Sequence, residues 1–209
     1  MRNLGFADVF CLSVLMVYVS VGTARCASAY RNPLKSKSTP VLYASCEVRP
    51  NAALDLELAE TNDVNGRIFL THELGKDIEI QVELEGLDPT GSLLHGFHVH
   101  EYGDLSDGCD STGSHFNPFE QDHGGPDDII RHVGDLGNIE RDAYGRVSTT
   151  ITDDLVSLWG MNSVYGRAFV IHADEDDLGD GGYDDSLTTG HAGSRLACCV
   201  IGRATTDDE

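Results

Sequence analysis

Positive charge is scarce in this chain of 209 residues. Fourteen lysines and arginines stand against 35 aspartates and glutamates, a formal charge of −21 at pH 7, which makes nucleic acid and anionic membrane surfaces poor partners. Helical periodicity is hard to find, and no internal repeat, heptad pattern or Pro/Ser-rich linker divides the sequence, so neither a bundle nor a multidomain array is indicated. No Asn-x-Ser/Thr acceptor and no Cys-x-x-Cys knuckle occurs. A Ser/His/Asp nucleophile motif, a glycine-rich phosphate loop and a basic aromatic patch are missing too, which leaves hydrolase and nucleic-acid functions without support.

Long apolar runs are confined to one place. Residues 9–22 ("VFCLSVLMVYVSVG") follow Arg2 and precede the small-residue site Ala27-Ser28-Ala29. The run is short for a membrane span, and its flanks predict a secretory signal peptide over 1–29, cut before Tyr30, with a retained anchor as the alternative. The expected mature chain, 30–209, is then secreted and extracellular, with no membrane partner. About 180 residues suit one domain with a sizeable core. Cys11 and Cys26 leave with the leader, while Cys46, Cys109, Cys198 and Cys199 remain. An even number in a secreted chain favours disulfides, with three pairings open.

What the mature chain does contain is a series of short alternating runs. Residues 41–48, 54–59, 67–72, 78–85, 96–101, 146–152, 167–172 and 196–202 read as strands between Gly, Pro, Asn and Asp clusters, an all-β sandwich or barrel. Two long connections, 102–132 and 173–194, interrupt the pattern. Structureless loops of that length are commonly functional, and these two hold most of the remaining histidines.

The histidines are the chemical signal. In "GFHVHEYGD" (96–104) a period of two puts His98 and His100 on the same strand face. Together with His115 and His172 they supply four nitrogen donors, a planar or tetragonal set that suits Cu(II). His115, His123, His132 and Asp135 supply three nitrogens and one carboxylate, a closed tetrahedral zinc set. His115 serves both, because imidazole has two nitrogens. His72, His95 and His191 sit in no matching pattern and read as structural or surface residues.

Five segments carry a resemblance: "GFHVHEYGD" (96–104), "GSHFNP" (113–118), "DHGGP" (122–126), "RHVGDLGN" (131–138) and "GSRLACCVIG" (193–202). In order and spacing the chain resembles the copper/zinc superoxide dismutases over residues 41–204. The resemblance implies a Greek-key, eight-stranded β-barrel or sandwich of immunoglobulin-like architecture with two long functional loops. It implies an antioxidant enzyme that converts superoxide to dioxygen and hydrogen peroxide by one-electron copper cycling. Copper would be held by His98, His100, His115 and His172, and zinc by His115, His123, His132 and Asp135. His115, as the bridge, and Arg195, which draws in the anion, would be catalytic. Asp176 would link a copper-side imidazole, His98 or His100, to His123, and Thr189 would line the channel.

The same resemblance pairs Cys109 with Cys198. It also places the first and last strands side by side, so that Cys46 and Cys199 form either a second disulfide or two buried thiols. Tyr102-Gly103, Tyr165-Gly166 and the end of the last strand match positions used for a homodimer. Two departures stand out. Residues 173–189 contain no lysine, with Asp174 and Thr188 where steering lysines are expected, which predicts slower capture of the anion. The segment 51–64 lengthens the first connection. A copper-delivery domain of the same fold is the rival, but such domains commonly lack part of the copper set.

Overall fold

The computed structural model describes residues 39–206; the expected leader and its cut before Tyr30 lie outside the described residues. Among the described residues ten strands form: β1 (Val41–Pro50), β2 (Asn65–Glu73), β3 (Ile78–Glu85), β4 (Leu94–His100), β5 (Ser106–Cys109), β6 (Asp135–Glu140), β7 (Val147–Asp153), β8 (Ala168–His172), β9 (Arg195–Val200) and β10 (Gly202–Ala204). Hydrogen bonding follows the path β6-β4-β8-β9-β1-β2-β3-β7, with β10 on β1, and the pairs are antiparallel. A short turn at 141–146 joins β6 and β7, the two ends of that path, so the eight strands make a nearly closed Greek-key barrel. Among the described residues no helix is long and apolar enough to cross a membrane.

Local sequence explains the strands. In β3, Ile78, Ile80, Val82 and Leu84 are buried while Glu79, Gln81, Glu83 and Glu85 alternate outward, the pattern of a half-buried antiparallel strand. In contrast, β4 and β8 are buried along nearly their whole length. One face of β4 enters the barrel, where Phe97 stacks on Phe169 with ring centroids 5.0 Å apart. Its other face, bearing His98 and His100, lies under the two long loops. Burying each large apolar side chain contributes about 1.5–3 kcal/mol, so the barrel is a stiff base for whatever the loops present.

Two expectations about elements are corrected. Residues 54–59 are not a strand: they start the short helix α1 (Leu56–Thr61), whose cap Asp55 accepts from the backbone N–H groups of Glu57 and Leu58, both at 3.1 Å. The alternating leucines mislead because α1 buries none of its residues, and Leu56 is 82 % exposed. Conversely β6 was not anticipated. Its sequence, "DLGNIE", turns Asp135 and Asn138 toward the loops and contains Gly137 at φ +71°, so no simple alternation marks it. The loop 173–194 also contains one helical turn, α2 (Ser186–Thr189).

Among the described residues two disulfides join the framework, Cys46–Cys199 and Cys109–Cys198. Adjacent residues of a strand face opposite ways. Cys199 therefore meets Cys46 of β1 inside the barrel core, whereas Cys198 meets Cys109 in a small outer cluster with Val170. The second bridge ties the first long loop to β9.

Candidate metal centre

The barrel brings the histidines together. His98 and His100 project from β4, and His172 ends the neighbouring strand β8. His115 joins by a single bridge to His100. His132 and Asp135 sit where the first long loop runs into β6, and His123 comes from the middle of that loop. All seven residues are buried. Within the set His98, His100, His115 and His172, and again within His115, His123, His132 and Asp135, one donor atom from each residue lies within 4.8 Å of the others.

Tautomers show which nitrogens are free. A carbonyl only accepts, so His100 Nδ1–H donates to Gly113 O (2.9 Å) and His172 Nδ1–H donates to Gly193 O (3.2 Å). Both Nε2 atoms are then bare lone pairs, and they face each other at 3.4 Å. His98 Nε2–H donates to Asp176 Oδ2 (2.7 Å), which leaves its buried Nδ1 with no hydrogen-bond partner. His115 Nε2 is likewise buried and unpartnered, while its Nδ1 lies 2.8 Å from Asp135 Oδ1. Converging lone pairs in a dry site repel one another unless a cation lies between them.

The second set has the same character. His123 Nε2–H donates to Asp176 Oδ1 (2.8 Å), and its Nδ1 stands 3.0 Å from Asp135 Oδ2, off the line of a hydrogen bond. His132 Nδ1 is 3.1 Å from Asp135 Oδ1 and 3.4 Å from His115 Nδ1. Backbone N–H groups of His132 (2.8 Å) and Gly124 (3.2 Å) fix the Asp135 carboxylate in place. Three imidazole nitrogens and one carboxylate in this arrangement suit zinc, and the four-nitrogen set suits copper.

Beside the four-nitrogen set lies Arg195. Its Nη1 donates to Cys109 O (2.8 Å), Asp110 O (3.2 Å) and Thr112 Oγ1 (3.1 Å), and its Nη2 to Gly113 O (2.8 Å). Gly113 O also receives the proton of His100, so one carbonyl holds a cation and a candidate ligand side by side.

Comparison with known proteins agrees with this geometry. Residues 64–201 match the family described as copper/zinc superoxide dismutase (SODC). The chain belongs to the copper/zinc superoxide dismutases. It is 40% identical over 189 residues to the extracellular superoxide dismutase [Cu-Zn] of Drosophila melanogaster, an alignment covering 90% of this chain and 99% of that protein. Copper and zinc are the cofactors and superoxide is the substrate of this antioxidant enzyme.

Electrostatics in the dismutase separate the two sets. Burial, reinforced by the neighbouring imidazole His115, holds His98 and His100 well below the ordinary histidine value and His172 at about 3. Burial also lowers His115, against the pull of Asp135. These rings are neutral at pH 7, the form that binds metal. His123 goes the other way: burial opposes its charge, but Asp135 and Asp176 outweigh it and raise the ring to about 9. Without metal, a proton on His123 serves as the local cation. Burial resists ionisation of Asp135, yet the surrounding imidazoles of His115, His123 and His132 hold it well below the usual carboxylate range.

The structure settles one choice the sequence left open, since Asp176 links His123 to His98 rather than to His100. Thr189 ends α2, exposed, with its Oγ1 on Asp185 O (3.3 Å). His95 donates from Nδ1 to the carbonyl of His172 (2.8 Å), and His72 joins Lys76 O (2.9 Å) to Leu158 N–H (3.0 Å). Two supports were missed. Asn138 grips the backbone of Asp176 through both ends of its amide (2.8 Å each). Arg131 donates to Asp135 O (2.8 Å) while paired with Asp153 (2.6 Å). Both lie inside the quoted "RHVGDLGN" segment, whose polar residues beyond the ligands were the available signal.

Proposed function

We propose that His98, His100, His115 and His172 hold copper and that His115, His123, His132 and Asp135 hold zinc. The mature chain, residues 30–209 freed of a leader at 1–29, works outside the cell as a homodimeric superoxide dismutase. The observation that supports the ligand assignment is His115, which belongs to both clusters, with its Nδ1 beside Asp135 and its buried Nε2 left without a hydrogen-bond partner. Bound there, copper supplies a one-electron couple, so that one superoxide is oxidised to dioxygen and the next is reduced to hydrogen peroxide with two protons, while zinc supplies a redox-inert charge.

The chain's own residues do the rest. Arg195 keeps a permanent planar charge at the mouth of the site and orients the anion. His115 Nε2, buried and unpaired, is the atom that holds a proton for the forming peroxide, with the ring kept in place through Nδ1. Asp176 fixes the tautomers of His98 and His123. Thr189 lines the approach.

The half-exposed Tyr102 and the exposed end of β9 at Val200 support the dimer contact. Sedimentation at the mass of one chain would overturn that part of the reading. The ligand assignment is tested by binding alone: His132→Ala is expected to weaken zinc, His100→Ala to weaken copper, and His115→Ala to weaken both. Retention of parental affinity for either ion by the His115 variant would refute the bridge.

A further inference from the structure

Asn51 opens the segment 51–64 that lengthens the connection from β1 to β2. It follows the last pairing of β1 with β9, Pro50 opposite Ala197, and its backbone N–H donates to Leu196 O (2.8 Å). The residue is buried, and its amide is used at both ends. Oδ1 accepts from the backbone N–H groups of Ala53 (3.0 Å) and Cys109 (2.8 Å), while Nδ2 donates to the backbone carbonyl of Arg195 (2.9 Å). Gly108, at φ +55°, makes room for that oxygen, since a Cβ there would overlap Asn51 Oδ1.

These bonds close a ring through the cation. Cys109 gives its N–H to Asn51 and its carbonyl to Arg195 Nη1 (2.8 Å), and the carbonyl of Arg195 itself returns to Asn51 Nδ2. The acceptors that seat the guanidinium, Cys109 O, Asp110 O, Thr112 Oγ1 and Gly113 O, all belong to the one stretch 109–113. Two of them also touch the four-nitrogen set: Gly113 O receives the His100 Nδ1 proton (2.9 Å), and Thr112 Oγ1 lies 3.2 Å from the same nitrogen. An apolar side chain at position 51 would take an acceptor from the buried Cys109 N–H and a donor from the Arg195 carbonyl. That loss costs free energy until the backbone shifts toward other partners.

Resting on the reading above, in which Arg195 orients superoxide, we propose that Asn51 is a positioning residue for that arginine: one end of its amide holds the Arg195 backbone, the other holds the stretch 109–113, and together they fix the guanidinium beside His100. An arginine side chain has many rotamers, so its planar fork takes a single orientation only where both its root and its acceptors are held. A small misplacement of an orienting group lowers the rate even when the groups that react are intact.

The test is a double-mutant cycle in the second-order decay of pulse-generated superoxide at low ionic strength, on chains loaded with copper and zinc to the parental content. Asn51→Ala is expected to lower the rate about three- to tenfold, the scale of one or two displaced hydrogen bonds, and to lower it no further once Arg195 is already replaced by alanine. A residue that merely supports the fold would slow both backgrounds by the same factor. Proton–nitrogen NMR of the chain loaded with zinc and reduced copper gives a readout free of turnover. In it the Arg195 Nη protons are expected to give separate, slowly exchanging signals in the parent and one averaged signal in Asn51→Ala. Asn51→Ser, with a single, shorter polar group, disturbs the backbone less and is expected to fall between the two in both readouts, so the proposal can fail even where the alanine variant does not fold. Equal losses in the two backgrounds, parental behaviour of the Asn51 variants, or averaged Arg195 signals in the parent would overturn it. A parental rate in Arg195→Ala would instead overturn the orienting role of Arg195 on which it rests, and a loaded parent without activity the dismutase reading itself.

Discussion

At the scale of single residues, Asp176 governs two imidazoles at once, accepting from His98 at 2.7 Å and from His123 at 2.8 Å. Asparagine offers one acceptor and one donor in that place. One imidazole facing Asp176→Asn must therefore rotate or change tautomer and withdraw its free nitrogen from the centre. We expect the variant to bind zinc about 10- to 100-fold more weakly, measured by competition with a chelator of known affinity; parental affinity would contradict the orienting role. Part of the candidate clustering was legible in the sequence, because the period of a strand alone puts His98 and His100 on one face. Which of the two reaches Asp176 was not legible, since it depends on how the loop 173–194 folds back over β4. Asn138 was hidden for the same reason: its importance lies in contacts with Asp176, which becomes its neighbour only in the fold.

At the scale of elements, β9 works through both faces, binding Cys46 of β1 on the core side and Cys109 of the first long loop on the other. The inner bridge spans a sequence separation of 153 residues, and closing so long a loop removes much chain entropy from the unfolded state. Replacing both Cys46 and Cys199 by alanine is expected to cost about 2–4 kcal/mol, measured by denaturant unfolding, while the copper and zinc content stays at the parental level. Unchanged stability would show that the inner bridge contributes nothing. The opposite facing of Cys198 and Cys199 was readable from alternation, but the bridge itself needed the pairing of β1 with β9. Alternation failed where it met solvent or the metal loops. In α1 the spaced leucines bury nothing and the Asp55 cap decides the conformation, and in β6 polar residues aimed at the centre break the apolar rhythm.

At the scale of the whole molecule, buried histidines make the stability of the metal-free chain depend on pH in two directions. His98, His100 and His172 are depressed in the folded state, so the unfolded chain binds more protons between the ordinary value of 6.5 and the lower folded values. Their effect is to reduce stability as pH falls through that window. His123, raised to about 9, contributes stability that is complete below 6.5 and is lost as pH rises toward 9. The metal-free protein is therefore expected to have its highest thermal midpoint near pH 6.5, falling toward pH 4 and toward pH 9. A midpoint that keeps rising on acidification to pH 4 would contradict the assignment. The central claim concerns the loaded protein, and the direct measurement is the decay of pulse-generated superoxide on the chain carrying one copper and one zinc, set against the same chain stripped of both. Rapid decay in the loaded form alone is the predicted result. No acceleration despite verified copper and zinc would mean that the centre stores or delivers metal, and that this chain is not a working dismutase.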